Sequence, residues 1–79
     1  MIAKLIILTE PDSYESGVWN NIPYPAGPSR FTPIPVICNY EDENYFIILN
    51  NNKTQFRTHS KTGDKKYAKV SFIFLRIDN

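Results

Sequence analysis

The single histidine, His59, is the side chain best suited to acid–base chemistry in this sequence. It follows Arg57 by two positions, and residues two apart in an extended strand point to the same face. Histidine transfers protons near neutral pH and arginine stabilises a charged phosphorane-like state, which together are the minimum for a small metal-independent ribonuclease. The second titratable group that such chemistry needs would be a distant carboxylate such as Glu41 or Glu43. We therefore expect a protein that is not an enzyme, and we keep the ribonuclease as an alternative.

Other reactive or ligating residue types are too few or wrongly spaced for a site. Cys38 is the only cysteine, which excludes a disulfide within the chain, and it lies on the apolar side of a predicted strand. Tetrahedral zinc needs about four Cys or His ligands. The acidic run 41–43 lacks the alternating ligands of a calcium loop, and three glycines form no phosphate-binding fingerprint. We predict no metal and no cofactor.

Basic residues are concentrated in one part of the chain. The net charge is only +1, but residues 53–69 hold six basic residues and one acidic residue, whereas residues 1–52 hold two basic and six acidic ones. If 53–69 is a hairpin, it presents a cationic surface that could contact nucleic-acid phosphates. Lysines on a solvated ribbon also prevent aggregation between sheet edges, and Tyr67 is the only aromatic residue nearby for base stacking. The predicted anion-binding or nucleic-acid-binding residues are Arg57, His59, Lys61, Lys65, Lys66 and Lys69.

A second candidate surface is the proline-rich segment 9–33, which contains Trp19, Tyr24 and Phe31. Exposed aromatic residues dominate the binding energy of many interfaces, although in so small a chain they could instead cover a thin core. We expect a non-catalytic interaction module that binds and modulates, or inhibits, a protein partner through this loop, through residues 53–69, or through both. Compact inhibitors encoded by phages and mobile elements have this build. Nucleic-acid binding by residues 53–69 is the alternative.

The hydrophobic pattern predicts the elements that must position these residues. Alternation of apolar and polar residues favours strands over 34–40, 54–59 and 67–77, and short apolar runs favour strands over 2–8 and 45–50, with a long loop over 9–33. The first strand is apolar on both faces, which is typical of a strand buried on two sides, and the unbroken apolar run 45–49 suggests a central strand. Phe56 is expected to face inward, and so are Val70, Phe72 and Phe74.

These 79 residues make one domain of the all-β or β-rich α+β class. We predict a small antiparallel five-stranded barrel or curled sheet whose layout is similar to the SH3-like plan, an analogy that implies no function. At most one short helix is expected, since residues 9–12 resemble a helix start and Gly17 would end it. The runner-up is a five-stranded sheet packed on that helix.

The start of the chain has an apolar run of only four residues after Lys4, too short for a signal-peptide core or a membrane span. With a lone cysteine, this favours the cytoplasm, of the producing cell or of a host, and no contact with a membrane. A homodimer is a further possibility, because a domain of this size buries little surface by itself.

Overall fold

The computed structural model describes residues 2–27, 30–39, 45–61 and 67–78, and the side chains of 5–27, 30–39, 45–61 and 67–76. These residues form two antiparallel sheets and contain no helix, which confirms the predicted all-β class. Within the same ranges, nothing resembles a helix able to cross a membrane. The sheets curl against each other but do not close into a barrel over the described residues. The strands are β1 Ile2–Leu8, β2 Asp12–Glu15, β3 Asn20–Asn21, β4 Thr32–Ile37, β5 Tyr45–Leu49, β6 Gln55–Ser60 and β7 Tyr67–Asp78.

Strand β7 is the centre of the first sheet, here called sheet A. Strand β4 pairs along one side of it, and β1 and β2 pair one after the other along the opposite side. Between them, the Thr9 N–H donates to the Phe72 carbonyl at 3.0 Å, so β1 and β2 behave as one interrupted strand. The segment predicted as a long loop over 9–33 therefore contains two strands, β2 and β3, and the start of a third.

The predicted helix start at residues 9–12 is wrong. The Thr9 hydroxyl, which would cap a helix, accepts a hydrogen bond from the Phe72 N–H at 2.8 Å in the neighbouring strand. Pairing with β7 satisfies the backbone of this segment and overrides the local capping signal. Gly17 then adopts a φ of +84°, and its N–H donates to the Thr58 carbonyl at 2.8 Å, which takes the chain across to the second sheet.

Two prolines lie inside β4, although a proline-rich stretch is expected to stay outside sheets. Pro33 and Pro35 occupy alternate positions, and the strand lies at the edge of sheet A. The Cys38 N–H, which shares the backbone direction of Ile34 and Val36, donates to the Lys69 carbonyl of β7 at 2.7 Å. The proline nitrogens consequently face away from β7, where no ladder hydrogen bond is lost.

The second sheet, sheet B, has the order β3-β6-β5. Strand β5 is an edge strand of this sheet, so the prediction that residues 45–49 form a central strand is wrong. Tyr45, Ile47 and Leu49 pack against the core, whereas the two residues between them are exposed. The exposed face of β5 belongs to the outer side of sheet B, and an unbroken apolar run does not reveal it.

The core lies between the two sheets. Phe56 of sheet B and Phe72 of sheet A pack edge to face, with 5.0 Å between ring centroids, and both side chains are buried. Val70 and Phe74 are also buried, so the predicted inward set is confirmed. The first strand differs from the prediction. It lies at the edge of sheet A, where Ile7 packs against the core while Leu5, Ile6 and Leu8 are exposed, so the strand is not buried on two sides.

Candidate functional site

The three aromatic residues predicted as a protein-binding set occupy two separate places. Tyr24 and Phe31 lie over the buried Phe74, with ring-centroid distances of 5.2 and 6.2 Å. The Tyr24 hydroxyl donates to the Lys53 carbonyl at 2.6 Å, and burial raises the pKa of this phenol above its ordinary value. These two rings cover one end of the core. Trp19 lies apart from them, on the outer face of sheet B.

Trp19 contacts Arg57 on that outer face. The Arg57 Cζ lies 4.7 Å from the Trp19 ring centroid, within the range of a cation–π interaction. The contact follows from strand pairing. Strand β3 pairs Asn20 with Phe56, so Trp19, the residue before β3, lies beside Arg57, the residue after Phe56. Trp19 keeps 40% of its surface exposed.

His59 and Phe46 extend the same row. The Arg57 Nε–H donates to the His59 Nε2 at 2.8 Å. The imidazole stacks on Phe46, with 5.0 Å between centroids and 21° between planes. Phe46 lies opposite His59 and Ile48 opposite Arg57 in the β5–β6 ladder. We call this surface the aromatic–arginine face, formed by Trp19, Phe46, Ile48, Arg57 and His59.

The guanidinium of Arg57 is held on two sides. Trp19 covers its plane and His59 accepts its Nε–H, whereas its Nη N–H groups meet no acceptor in the part of the chain that the structure describes. Such a fork matches the two oxygens of a carboxylate or a phosphate. An amide pair borders the face, since Gln55 Nε2 donates to Asn21 Oδ1 at 3.2 Å. The arrangement therefore places the guanidinium of Arg57 between the exposed rings of Trp19 and Phe46.

The described members of the predicted basic surface do not all lie on one sheet. Strands β6 and β7 belong to different sheets, so residues 53–69 do not form the expected hairpin. Arg57 and His59 lie on sheet B, Lys61 is exposed just after β6, and Lys69 lies on β7 of sheet A, where its N–H donates to Asn39 Oδ1 at 2.7 Å. The remaining predicted cations, Lys65 and Lys66, lie outside the described residues, as does the acidic run 41–43.

A cleft lies beside Tyr24 and Phe31, apart from the aromatic–arginine face. It is an open cleft of about 380 Å³ whose charged lining residues are Arg30 and Lys53. Cys38 lies elsewhere and is half-buried, with its Sγ 3.4 Å from the Ser71 hydroxyl. Within the described residues, no group of three or more His, Cys, Asp or Glu side chains is arranged to hold a metal ion.

Sequence reasoning missed Phe46 and Ile48, because every residue of the run 45–49 is apolar and no alternation marks an outer face. Their outward orientation became visible only from the pairing of β5 with β6. No protein-family model, curated protein or solved structure matches the chain. Its function is therefore inferred from the aromatic–arginine face.

Proposed function

We propose that this chain is a non-catalytic interaction module that binds a protein partner through the aromatic–arginine face and thereby modulates or inhibits that partner. The contact between Trp19 and Arg57 carries the proposal. Tryptophan and arginine are the residue types most enriched among the few positions that supply most of the binding energy of protein interfaces. Here both are accessible side by side on one sheet.

The rigidity of the face supports the same proposal. Binding normally costs about 0.5 to 1.5 kcal/mol for each mobile side chain that becomes fixed. Arg57 is already held by Trp19 and by His59, and His59 in turn stacks on Phe46. Because these side chains are supported by paired strands, much of that ordering cost is met before a partner arrives.

The chemistry of the face describes the partner surface that fits it. The Nη groups of Arg57 suit a carboxylate, and the exposed rings of Trp19 and Phe46 suit apolar side chains around it. Phe46 is 43% exposed and the neighbouring Ile48 is also exposed, so apolar surface continues beyond the cation. We infer a partner segment in which an Asp, a Glu or a terminal carboxylate is flanked by apolar residues.

Affinity capture with matched variants tests this proposal. Trp19→Ala and Arg57→Ala should each reduce the recovery of a captured protein by at least about tenfold, the effect of losing one interface anchor. Tyr67→Ala and Lys69→Ala are the matched controls, because they remove an exposed aromatic residue and an exposed cation from the other sheet. Captured proteins would be identified by mass spectrometry, and circular dichroism would verify that each variant is folded. Equal recovery by all four variants would contradict the proposal.

Single-stranded nucleic acid is the second candidate ligand. The observation that favours it is that Trp19 and Phe46 are exposed on either side of the Arg57–His59 pair, as stacking platforms for bases would be. Trp19 is the only tryptophan, so its fluorescence reports directly on stacking. Quenching of this fluorescence by a mixed-sequence RNA oligonucleotide, with an affinity that falls steeply as the salt concentration rises, would favour nucleic acid as the ligand. Unchanged fluorescence would exclude it.

A further inference from the structure

The outer face of sheet A carries a continuous aliphatic surface. Ile7 and Ile37 pack against the core together with Phe72 and Phe74. Because side chains alternate along a strand, the intervening residues of these three strands point to the opposite face of the sheet. Those residues form what we call the aliphatic face: Ile6, Leu8, Ile34, Val36, Ile73 and Leu75.

The strand register makes these side chains neighbours. In one row, Ile6 of β1 lies opposite Leu75 of β7, and in the next row Leu8 and Ile34 flank Ile73 from either side. Ile6 is 59% exposed, Leu8 is 70% exposed and Ile34 is 39% exposed. None of the six members carries a charge or a polar group. Such continuity distinguishes this surface from the scattered single apolar residues of an ordinary protein surface.

We infer that the aliphatic face binds a second copy of this chain, which gives a homodimer packed through the outer faces of two A sheets. The six aliphatic side chains carry no charge that would select an oppositely charged partner, and Thr32, Ser71 and Lys69 lie around them on the same side of the sheet. A second copy presents the same uncharged aliphatic rows, so the two surfaces are complementary by symmetry. Face-to-face packing of sheets is also the usual way to bury such rows.

The size of the face suits a dimer. Six aliphatic side chains in adjacent rows expose roughly 400 Å², which is within the range of the largest apolar patches on monomeric proteins, and such patches are often functional. Two such patches with their polar rims bury on the order of 1,000 Å², near the lower bound for a specific interface. Strand β7 would then be covered on both faces, which explains why Ile73 and Leu75 are apolar on the side away from the core.

The dimer is independent of the protein partner proposed above. The aliphatic face lies on the outside of sheet A, and the aromatic–arginine face lies on the outside of sheet B. The core separates them, because Phe56 of sheet B packs on Phe72 of sheet A. A variant that breaks one contact therefore leaves the other in place.

Sedimentation equilibrium over a range of concentrations tests the inference. Leu8→Glu and Ile6→Glu each place a charge within the proposed interface twice, once from each protomer, and should raise the dimer dissociation constant by at least about 100-fold. Val18→Glu is the matched control, because it places the same charge at an exposed aliphatic position outside both faces and should change that constant by less than about threefold.

Two results would overturn the inference. One is a wild-type chain that stays monomeric at about 1 mM. This result would also be obtained if a different protein covered the face, and it would overturn the homodimer in that case too. The other is a dimer that is insensitive to both glutamate variants. Isotope-filtered NMR on a mixed labelled and unlabelled sample needs no substitution, and it should show contacts between protomers at the methyl groups of Leu8, Ile34 and Ile73. Capture of a protein partner by Leu8→Glu at the wild-type level would show that the two surfaces act separately.

Discussion

Removal of the Trp19 indole and the Arg57 guanidinium, singly and together, tests whether their contact exists in solution. The single variants Trp19→Ala and Arg57→Ala and the double variant form a thermodynamic cycle for the free energy of unfolding. A cation–π pair that is partly exposed contributes about 0.5 to 1 kcal/mol. We expect the double variant to be less destabilised than the sum of the two single variants by that amount.

The size of the single-variant effect also separates a surface anchor from a core residue. An aromatic side chain covers up to about 250 Å² when buried, and Trp19 is 40% exposed, so roughly 150 Å² is covered. At about 25 cal/mol per Å² this corresponds to about 4 kcal/mol, and cover already present in the unfolded chain reduces it to about 2 to 3 kcal/mol. The fully buried Phe56, by contrast, should lose about 3 to 5 kcal/mol when changed to Ala.

Urea denaturation followed by far-ultraviolet circular dichroism is the appropriate assay, because Trp19→Ala removes the only tryptophan and with it the fluorescence signal. A cycle between Trp19→Ala and Lys69→Ala serves as the control, since Lys69 lies on the other sheet and should show no coupling. A Trp19–Arg57 coupling energy below about 0.3 kcal/mol would refute the reasoning, because independent sites agree with additivity to that level.

Three further predictions concern stability. Thr58 is buried, and its hydroxyl has no hydrogen-bond partner in the described part of the chain, so Thr58→Val should raise the free energy of unfolding by about 1 kcal/mol in urea titrations. Lys53 has a φ of 57°, so Lys53→Gly should raise the thermal midpoint by relieving about 1 kcal/mol of strain, whereas Lys53→Ala should not. Burial raises the pKa of Tyr14 above 10.0, and the negative charge of Asp12 raises it further. Burial also raises the pKa of Tyr24. The folded chain therefore releases these protons at higher pH than the unfolded chain, so the free energy of unfolding should hold below pH 10 and fall as pH rises through the raised pKa values. The fall should be less steep in Tyr14→Phe. Equal slopes of unfolding free energy against pH in the two proteins would contradict this prediction.

Much of the core could be predicted from sequence because alternation is a local property. Phe72 and Phe74 stand two apart in a strand, and their common orientation needs no knowledge of the partner strands. Prediction failed where tertiary pairing decides the outcome. The residues around Thr9 carry the signals of a helix start, yet the backbone there bonds to Phe72, 63 positions away in the sequence. A local signal cannot anticipate such a partner.

The candidate site was predictable only in part, for the same reason. Arg57 and His59 share a face through simple alternation, and both were identified from sequence. Their contacts with Trp19 and Phe46 depend on which strands border β6, and β5 and β3 occupy those places. Trp19 was identified from its residue type and was grouped with Tyr24 and Phe31. Those two rings lie over Phe74 at a different place in the structure.

The central position of β7 has a consequence for the order in which the molecule can fold. Strands β1, β2 and β4 all take their hydrogen bonds in sheet A from β7, which follows them along the chain. During synthesis these three strands emerge from the ribosome with no partner, and sheet A cannot assemble until residues 67–78 arrive. Pairings of such long sequence separation make folding slow, on the order of milliseconds to seconds. Newly made chains thus pass through an interval in which their apolar strands are open to chaperones and to one another.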